Sequence, residues 1–275
     1  VKRRTFEVNR AGGLASVVAE ALAEPTSRAA ERIVAGTVFV DGKRVRDAQR
    51  RLALGARVSV VLESGGAPVG EHPSRRVAEP RVLFENQTLV VFDKPPGLPA
   101  QPTPSGEANL LEVAASRVGG VVGLVHRLDR ETSGVTVFGK TRKATAELAA
   151  AFRERKAHKE YLAWVNGGLP AEGRIETPLQ RDPSRPGRWR AIDSGNGLSA
   201  VTRFQCERTT ERGCLVRVFP ETGRTHQIRV HLASIGFPIQ GDALYGGSEG
   251  SRCLLHAQVL EVLQYRWVAP LPDDF

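Results

Sequence analysis

The chain has no methionine and only three cysteines, and aromatic residues make up 6% of its 275 positions. With no methionine at position one, the numbering does not show the translational start. Cys206, Cys214 and Cys253 form no CxxC pair and leave an odd count. That spacing argues against a cysteine metal site or a disulfide framework and predicts reduced thiols in a cytoplasmic protein. No apolar run approaches the roughly 18 residues of a membrane span. The opening VKRRTFEVNR is charged, with no apolar stretch behind it, so a secretory signal is not expected. Acidic residues are also in deficit. The formal net charge is +9 and the pI is near 10, which points to a polyanionic partner. The basic residues are 32 Arg and 7 Lys, and arginine's planar fork suits phosphate contacts and stacking on bases.

One dense polar stretch stands out. Residues 121–140, VVGLVHRLDRETSGVTVFGK, set two β-branched apolar runs around His126-Arg127-Leu128-Asp129-Arg130-Glu131-Thr132-Ser133-Gly134. The pattern predicts strands over 121–125 and 135–138 with a polar loop between them. Such a concentration of charge must face solvent, a ligand or buried partners. Loops on rigid strands are where chemistry tends to sit. Asp129 has Arg127 and Arg130 on either side, and neighbouring cations favour its charged form. The plainer reading is a polar turn whose Asp and Ser bond their own backbone.

Residues 1–63 read as a compact basic module carrying five of the nine net positive charges. Leu14, Val17, Val18, Ala21 and Leu22 recur at helical spacing. Pro25 ends that helix, and Thr26 and Ser27 offer a cap for a second over 28–35, with Gly36 at its end. This second helix is expected to bury Ile33 and Val34 and to share an exposed face between Arg28 and Arg32. A strand over 37–40, an Asp41-Gly42 turn and a return strand from Lys43 and Arg44 follow, then an alternating strand ending at residue 62. The helix–helix–hairpin order resembles the α-L RNA-binding domain of a ribosomal small-subunit protein. The resemblance implies a phosphate-facing patch of Arg28, Arg32, Lys43 and Arg44, giving salt-dependent affinity with little sequence choice. Residues 64–79, rich in turn formers, read as a linker, which leaves 80–275 as the second domain.

In that domain, strands are expected over 82–84, 89–93, 198–209, 214–219 and 253–262. Helices are expected over 110–118, from a Thr141 cap to about residue 155, and from Thr225 to Gly236 and Pro238. In the last helix Ile228, His231, Leu232 and Ile235 mark one face, with Arg229 off that stripe. Tyr161 sits in KEYLAWVNG, an alternating strand. RDPSRPGRWR offers Arg and Trp for RNA contact, or is a mobile connection.

The nine-residue word matches HRLDxxTSG of the RluA-type pseudouridine synthases at every fixed position. DKPPG resembles that family's first motif, KEYLAWVNG its second conserved segment, and TGRTHQIRVH its third motif, which runs on into GFPIQGDALYG. The tail APLPDDF is similar as well. The resemblance implies an α+β fold for 80–275: a mixed, mainly antiparallel sheet with flanking helices and a central cleft, beside the small α/β N-terminal module. It implies isomerisation of uridine in RNA to pseudouridine without cofactor or metal. Asp129 would be the nucleophile or electrostatic stabiliser, Arg229 its paired cation, Tyr161 the ring against the uracil and Ile228 an apolar wall. Arg127 would fill the space left by an everted nucleotide. His126 is open between RNA contact and structuring the loop, and Lys94 reads as a brace for the proline-rich turn. His226, His231 and His256 read as structural hydrogen-bonding residues and not as metal ligands.

By analogy the substrate is large-subunit ribosomal RNA, with transfer RNA as the alternative, and the protein is expected to be a monomer. Two rivals remain. A non-catalytic ribosome-assembly protein has no need of Asp129, Tyr161 and Arg229 together. A phosphoryl-transfer enzyme with an Asp nucleophile expects DxD, and Glu131 stands at the second Asp position.

Overall fold

The computed structural model describes residues 2–10, 12–34, 37–45, 47–63, 78–103, 106–193 and 195–275. Of the stretch expected to be a linker, residues 64–77 lie outside these. Two compact units emerge: Val1–Arg76 with Pro102–Glu107, and Val77–Gln101 with Ala108–Phe275.

In the first unit, helices Leu14–Leu22 and Thr26–Val34 share one core with a four-stranded antiparallel sheet. The strand order is Lys2–Glu7, Arg57–Glu63, Val38–Val40, Lys43–Val45. Asp41 and Gly42 both take positive φ, 48° and 76°, as a two-residue type I′ hairpin turn requires. The strand Lys2–Glu7 was not foreseen, because a charged edge strand lacks an apolar alternation to read. One expectation fails. Val34 is exposed, since Ala29 and Ile33, four apart, already form the buried face and the next residue turns about 100° away. Arg32 also leaves the exposed face foreseen for it, because its Nε donates to both oxygens of Glu24 at 2.9 and 3.0 Å.

The second unit is organised on a ten-stranded sheet. Its main path runs Glu172–Ile175, Thr202–Thr210, Gly213–Pro220, His158–Val165, Leu255–Val262, Ser133–Gly139, Leu89–Lys94, Arg81–Glu85. Tyr265–Val268 joins Leu255–Val262, and Gly123–Leu124 joins Ser133–Gly139. Among the described residues every pairing is antiparallel except Ser133–Gly139 beside Leu255–Val262. The fold is α+β, with a mixed and mostly antiparallel sheet. Alternation along the strands assigns the helices to its two faces. Leu89, Val91, Val135 and Val137 pack with helix Arg142–Arg153, while Val90, Phe92 and Phe138 pack with helix Leu110–Val118. Both helices start on the side chain that caps them: Asn109 accepts from the Glu112 N–H, and Thr141 from the Ala144 N–H.

Three details differ from the pattern-based reading. Val121 is 93% exposed, and the first strand of the central motif shrinks to Gly123–Leu124. Leu198, expected to open a strand, precedes the observed Thr202–Thr210 and instead exchanges backbone bonds with Leu179. Cys206 and Cys214 are joined by a disulfide, leaving buried Cys253 as the one free thiol. Cys206 faces Val216 on the adjacent strand, and Cys214, two residues from Val216, lies on the diagonal with its Cα 6.6 Å from that of Cys206. The expectation of three reduced thiols is therefore corrected, and the cytoplasmic reading loses that support. No helix among the described residues is long and apolar enough to cross a membrane.

The parallel junction explains the glycine of the central motif. Gly134 has φ +115°, and a Cβ there would lie 2.1 Å from the Ala257 carbonyl oxygen. Neither the conformation nor the space admits a side chain. Gly134→Ala is expected to cost at least ~2 kcal/mol of stability by urea denaturation; a loss under about 0.5 kcal/mol would show that the junction yields easily.

Candidate active site

The loop between Gly123–Leu124 and Ser133–Gly139 is pinned on two sides. On one side, His126 Nε2 accepts the Val137 N–H at 3.1 Å, with its ring stacked on Phe152 at 4.7 Å. Burial, with a smaller effect from Lys159, lowers His126 to about 3 and keeps the acceptor nitrogen unprotonated. On the other side, fully buried Lys94 donates to the carbonyls of Pro95, Leu98 and Arg130 at 2.8–2.9 Å. The Gly97 N–H donates to the Arg130 carbonyl, and Arg130 Nε donates back to Gly97. The proline-rich turn and the loop are thus bolted together, and Lys94 is a brace. Burial draws Lys94 down to about 7 against the opposing pull of Glu131 and Asp129.

Asp129, carried on this loop, meets the third motif from a hundred residues away. Arg229, on helix Gln227–Ser234, reaches Asp129 Oδ2 through Nη1 at 3.2 Å. The other edge of the same guanidinium grips Asp242, with Nε to Oδ2 at 2.7 Å and Nη2 to Oδ1 at 2.8 Å. Such a forked pair fixes the plane of the arginine. Asp242 also accepts from the Leu244 N–H, and Cys253 Sγ lies 3.7 Å away. Gly241 makes this corner possible, since a Cβ there would fall 1.8 Å from the Arg252 carbonyl oxygen. The Asp242 side chain is fully buried and Arg229 nearly so, while Asp129 is 25% exposed. Of these three side chains Asp129 is the one open to solvent. Burial alone would depress Arg229, but Asp242 and then Asp129 outweigh it and raise it.

Tyr161 lies on strand His158–Val165 and packs against the core cluster that holds Ile228. Burial and the nearby Asp129 charge push its hydroxyl well above the usual tyrosine range. Asp129 and Arg229 are in contact, Tyr161 is near enough to feel the Asp129 charge, Ile228 is buried in the core cluster against which Tyr161 packs, and Arg127 is exposed two residues from Asp129. Arg28 is a surface residue of the other unit, and the side chains of Lys43 and Arg44 lie outside the described residues. His231 is tied to Thr202 and the Thr177 carbonyl, and His256 to Ser133. Among the described residues no three or more His, Cys, Asp or Glu side chains are grouped to hold a metal ion.

The profile of the RNA pseudouridylate synthase family matches residues 88–234. The chain belongs to that family. It is 32% identical to ribosomal large subunit pseudouridine synthase D of Pseudomonas aeruginosa, over 90% of this chain and 85% of that protein. It is 41% identical to an RNA pseudouridine synthase of Bacillus subtilis over 70% of its own length, and the match spans just 65% of that relative. The structure of human RNA pseudouridylate synthase domain containing 1 superposes with TM-score 0.62 at 24% identity. It covers 71% of this chain and 85% of that one, a likeness of fold.

The matched region holds Asp129, Tyr161 and Arg229 but stops short of Asp242 and Tyr245. Sequence reasoning missed both of these synthase residues. GDALYG had been read only as a continuation of the third motif, although a carboxylate wedged between turn glycines was the available signal. The neutral, half-buried His126 sets a pH dependence. Between about 6.5 and about 3 the unfolded chain protonates this histidine and the folded one does not. Stability is therefore expected to fall as pH falls through that window, with His256, lowered by burial to about 4, acting in the same direction. His126→Gln, which keeps an acceptor and removes the titration, should flatten the slope of urea midpoint between about pH 7 and about pH 4.5. An unchanged slope would mean that His126 does not carry it.

Proposed function

We propose that this pseudouridine synthase isomerises uridine in large-subunit ribosomal RNA, with Asp129 as nucleophile and no cofactor. The observation that carries the reading is the division of labour at Arg229: one edge is saturated by buried Asp242, and the other holds only the solvent-reachable Asp129. Binding RNA alone has no use for a carboxylate presented in this way. Among the described residues the ion-pair contacts of Asp129 fall on Oδ2, Arg229 at 3.2 Å and His226 Nε2 at 3.9 Å. Oδ1 is the oxygen left to react.

The reaction breaks the bond between uracil N1 and the ribose, turns the freed base, and joins the ribose carbon to C5. The C5 proton is lost and N1 gains one, so the balance is closed without an external acid, base or oxidant. Oδ1 attacks either the anomeric carbon or C6 of the base; both routes use the same free oxygen. Tyr161 lies against the uracil and Ile228 walls the pocket. Everting the nucleotide costs a few kcal/mol, offset by contacts within the pocket and by Arg127 entering the vacated stack. The ribosomal substrate is supported by the Pseudomonas relative's name and by the α-L-like pattern of residues 1–63. In this reading the protein acts in the cytoplasm as a monomer, and the basic module anchors the RNA by its phosphates.

Asp129→Asn is expected to bind transcribed large-subunit ribosomal RNA normally and to release no tritium from its 5-labelled uridines. Wild-type turnover by that variant would remove the mechanism. Arg28→Gln, in the full chain, should weaken binding and reduce the slope of log affinity against log salt by about 1. An identical slope would show that this face does not touch RNA.

A further inference from the structure

Tyr245 and His226 stand beside the reacting carboxylate. The Tyr245 hydroxyl lies 2.7 Å from His226 Nδ1 and accepts the Trp189 N–H at 3.0 Å. The other nitrogen of His226 faces Asp129 Oδ2 at 3.9 Å. These contacts define the protons. With its oxygen receiving Trp189, the tyrosine has its own hydrogen to give, and among the described residues Nδ1 is the partner in reach. The neutral imidazole must then carry its hydrogen on Nε2, toward a carboxylate that can only accept. The opposite tautomer would set a lone pair against the carboxylate and leave the tyrosine hydrogen without an acceptor. Both ends of the ring favour the same assignment.

The surroundings hold this pair rigidly. His226 sits at φ 57°, ψ 17° immediately before helix Gln227–Ser234, a left-handed conformation uncommon outside glycine. Tyr245 is buried, with the guanidinium carbons of Arg229 and Arg188 at 5.0 and 5.5 Å from its ring centre. Trp189 and Arg188 belong to the Arg-rich hairpin of Leu179–Arg181 and Trp189–Ala191. The hydroxyl therefore links that hairpin to the ion network around Asp129.

We propose that Tyr245 and His226 are a positioning pair: the tyrosine hydroxyl locks His226 as its Nε2–H tautomer, which directs that N–H at Asp129 Oδ2 and, with Arg229, reserves Oδ1 for the substrate. This rests on Asp129 being the nucleophile. The pair forms no bond to the RNA. It fixes which carboxylate oxygen is free and which way it points.

The test combines a measurement on the free protein with one on the reaction. Nitrogen-15 NMR of histidine-labelled full-length protein, with His226→Gln to assign the signal, should show His226 as the Nε2–H tautomer near neutral pH. In Tyr245→Phe the same ring should become a mixture of tautomers. A wild-type ring in the Nδ1–H form, or doubly protonated, overturns the proposal whatever the substrate proves to be. On tritium-labelled, transcribed large-subunit ribosomal RNA, Tyr245→Phe should slow the single-turnover rate about tenfold while filter-binding affinity stays unchanged. The double variant should be no slower than His226→Gln alone, because the tyrosine acts through the histidine. Additive losses, or a loss confined to binding, would overturn it. Wild-type protein inert on that RNA would overturn the substrate reading instead, with the NMR result still deciding the tautomer.

Discussion

One guanidinium between two carboxylates is the constraint on which the site depends. A buried charge is tolerated only when paired and hydrogen-bonded, and Arg229 satisfies this with Asp242, out of solvent's reach. That pairing sets the plane of the fork, so the remaining N–H points in a defined direction before any RNA arrives. Asp129 accepts it from the open side. One carboxylate fixes the arginine and the other is reachable from solvent, as the proposed nucleophile has to be, and the difference between them is burial. Preorganisation of this kind is where enzymes place much of their rate advantage.

The loop bearing Asp129 has to be as fixed as the arginine it meets. Lys94 gathers three carbonyls from the proline-rich turn and the loop, and His126 accepts a backbone N–H from the strand that follows. Both groups belong to motifs usually read for chemistry, yet here each holds backbone. The same strand enters the sheet at its one parallel junction among the described residues, where Gly134 lets two backbones approach more closely than any side chain would permit. The second and third motifs come from elsewhere in the sheet and from the helix that carries Arg229. The site is therefore a meeting of three rigid pieces.

Much of this was legible from residue patterns. Helix 110–118 keeps its expected bounds, with Asn109 capping its start and Gly119 its end. Thr141 was read as a cap, and its hydroxyl is one. Asp41-Gly42 was read as a tight turn, and both residues adopt the positive φ it demands. Errors arose where a rule of neighbours met a choice of faces. Val34 is apolar and helical, but the core face was already filled by Ala29 and Ile33. Arg229 lies off the apolar stripe of its helix and is nevertheless buried, because Asp242 compensates its charge. No local pattern announces a partner thirteen residues away across a turn.

The sequence by itself determined the kind of protein: basic, built in two parts, with three motifs whose wording admits one family. Composition, periodicity and turn chemistry act over a few residues, so these features survive in one dimension. The family resemblance already names the Asp129–Arg229 pair; only the folded chain adds Asp242 to Arg229 and Tyr245 to His226, through strand order and two close backbone approaches at glycine. Cys206 and Cys214 join on the diagonal between two adjacent strands, where Cys206 faces Val216 and Cys214 faces Thr209. Pairing across a sheet depends on register, and register is a property of the whole sheet, set by which faces must be buried.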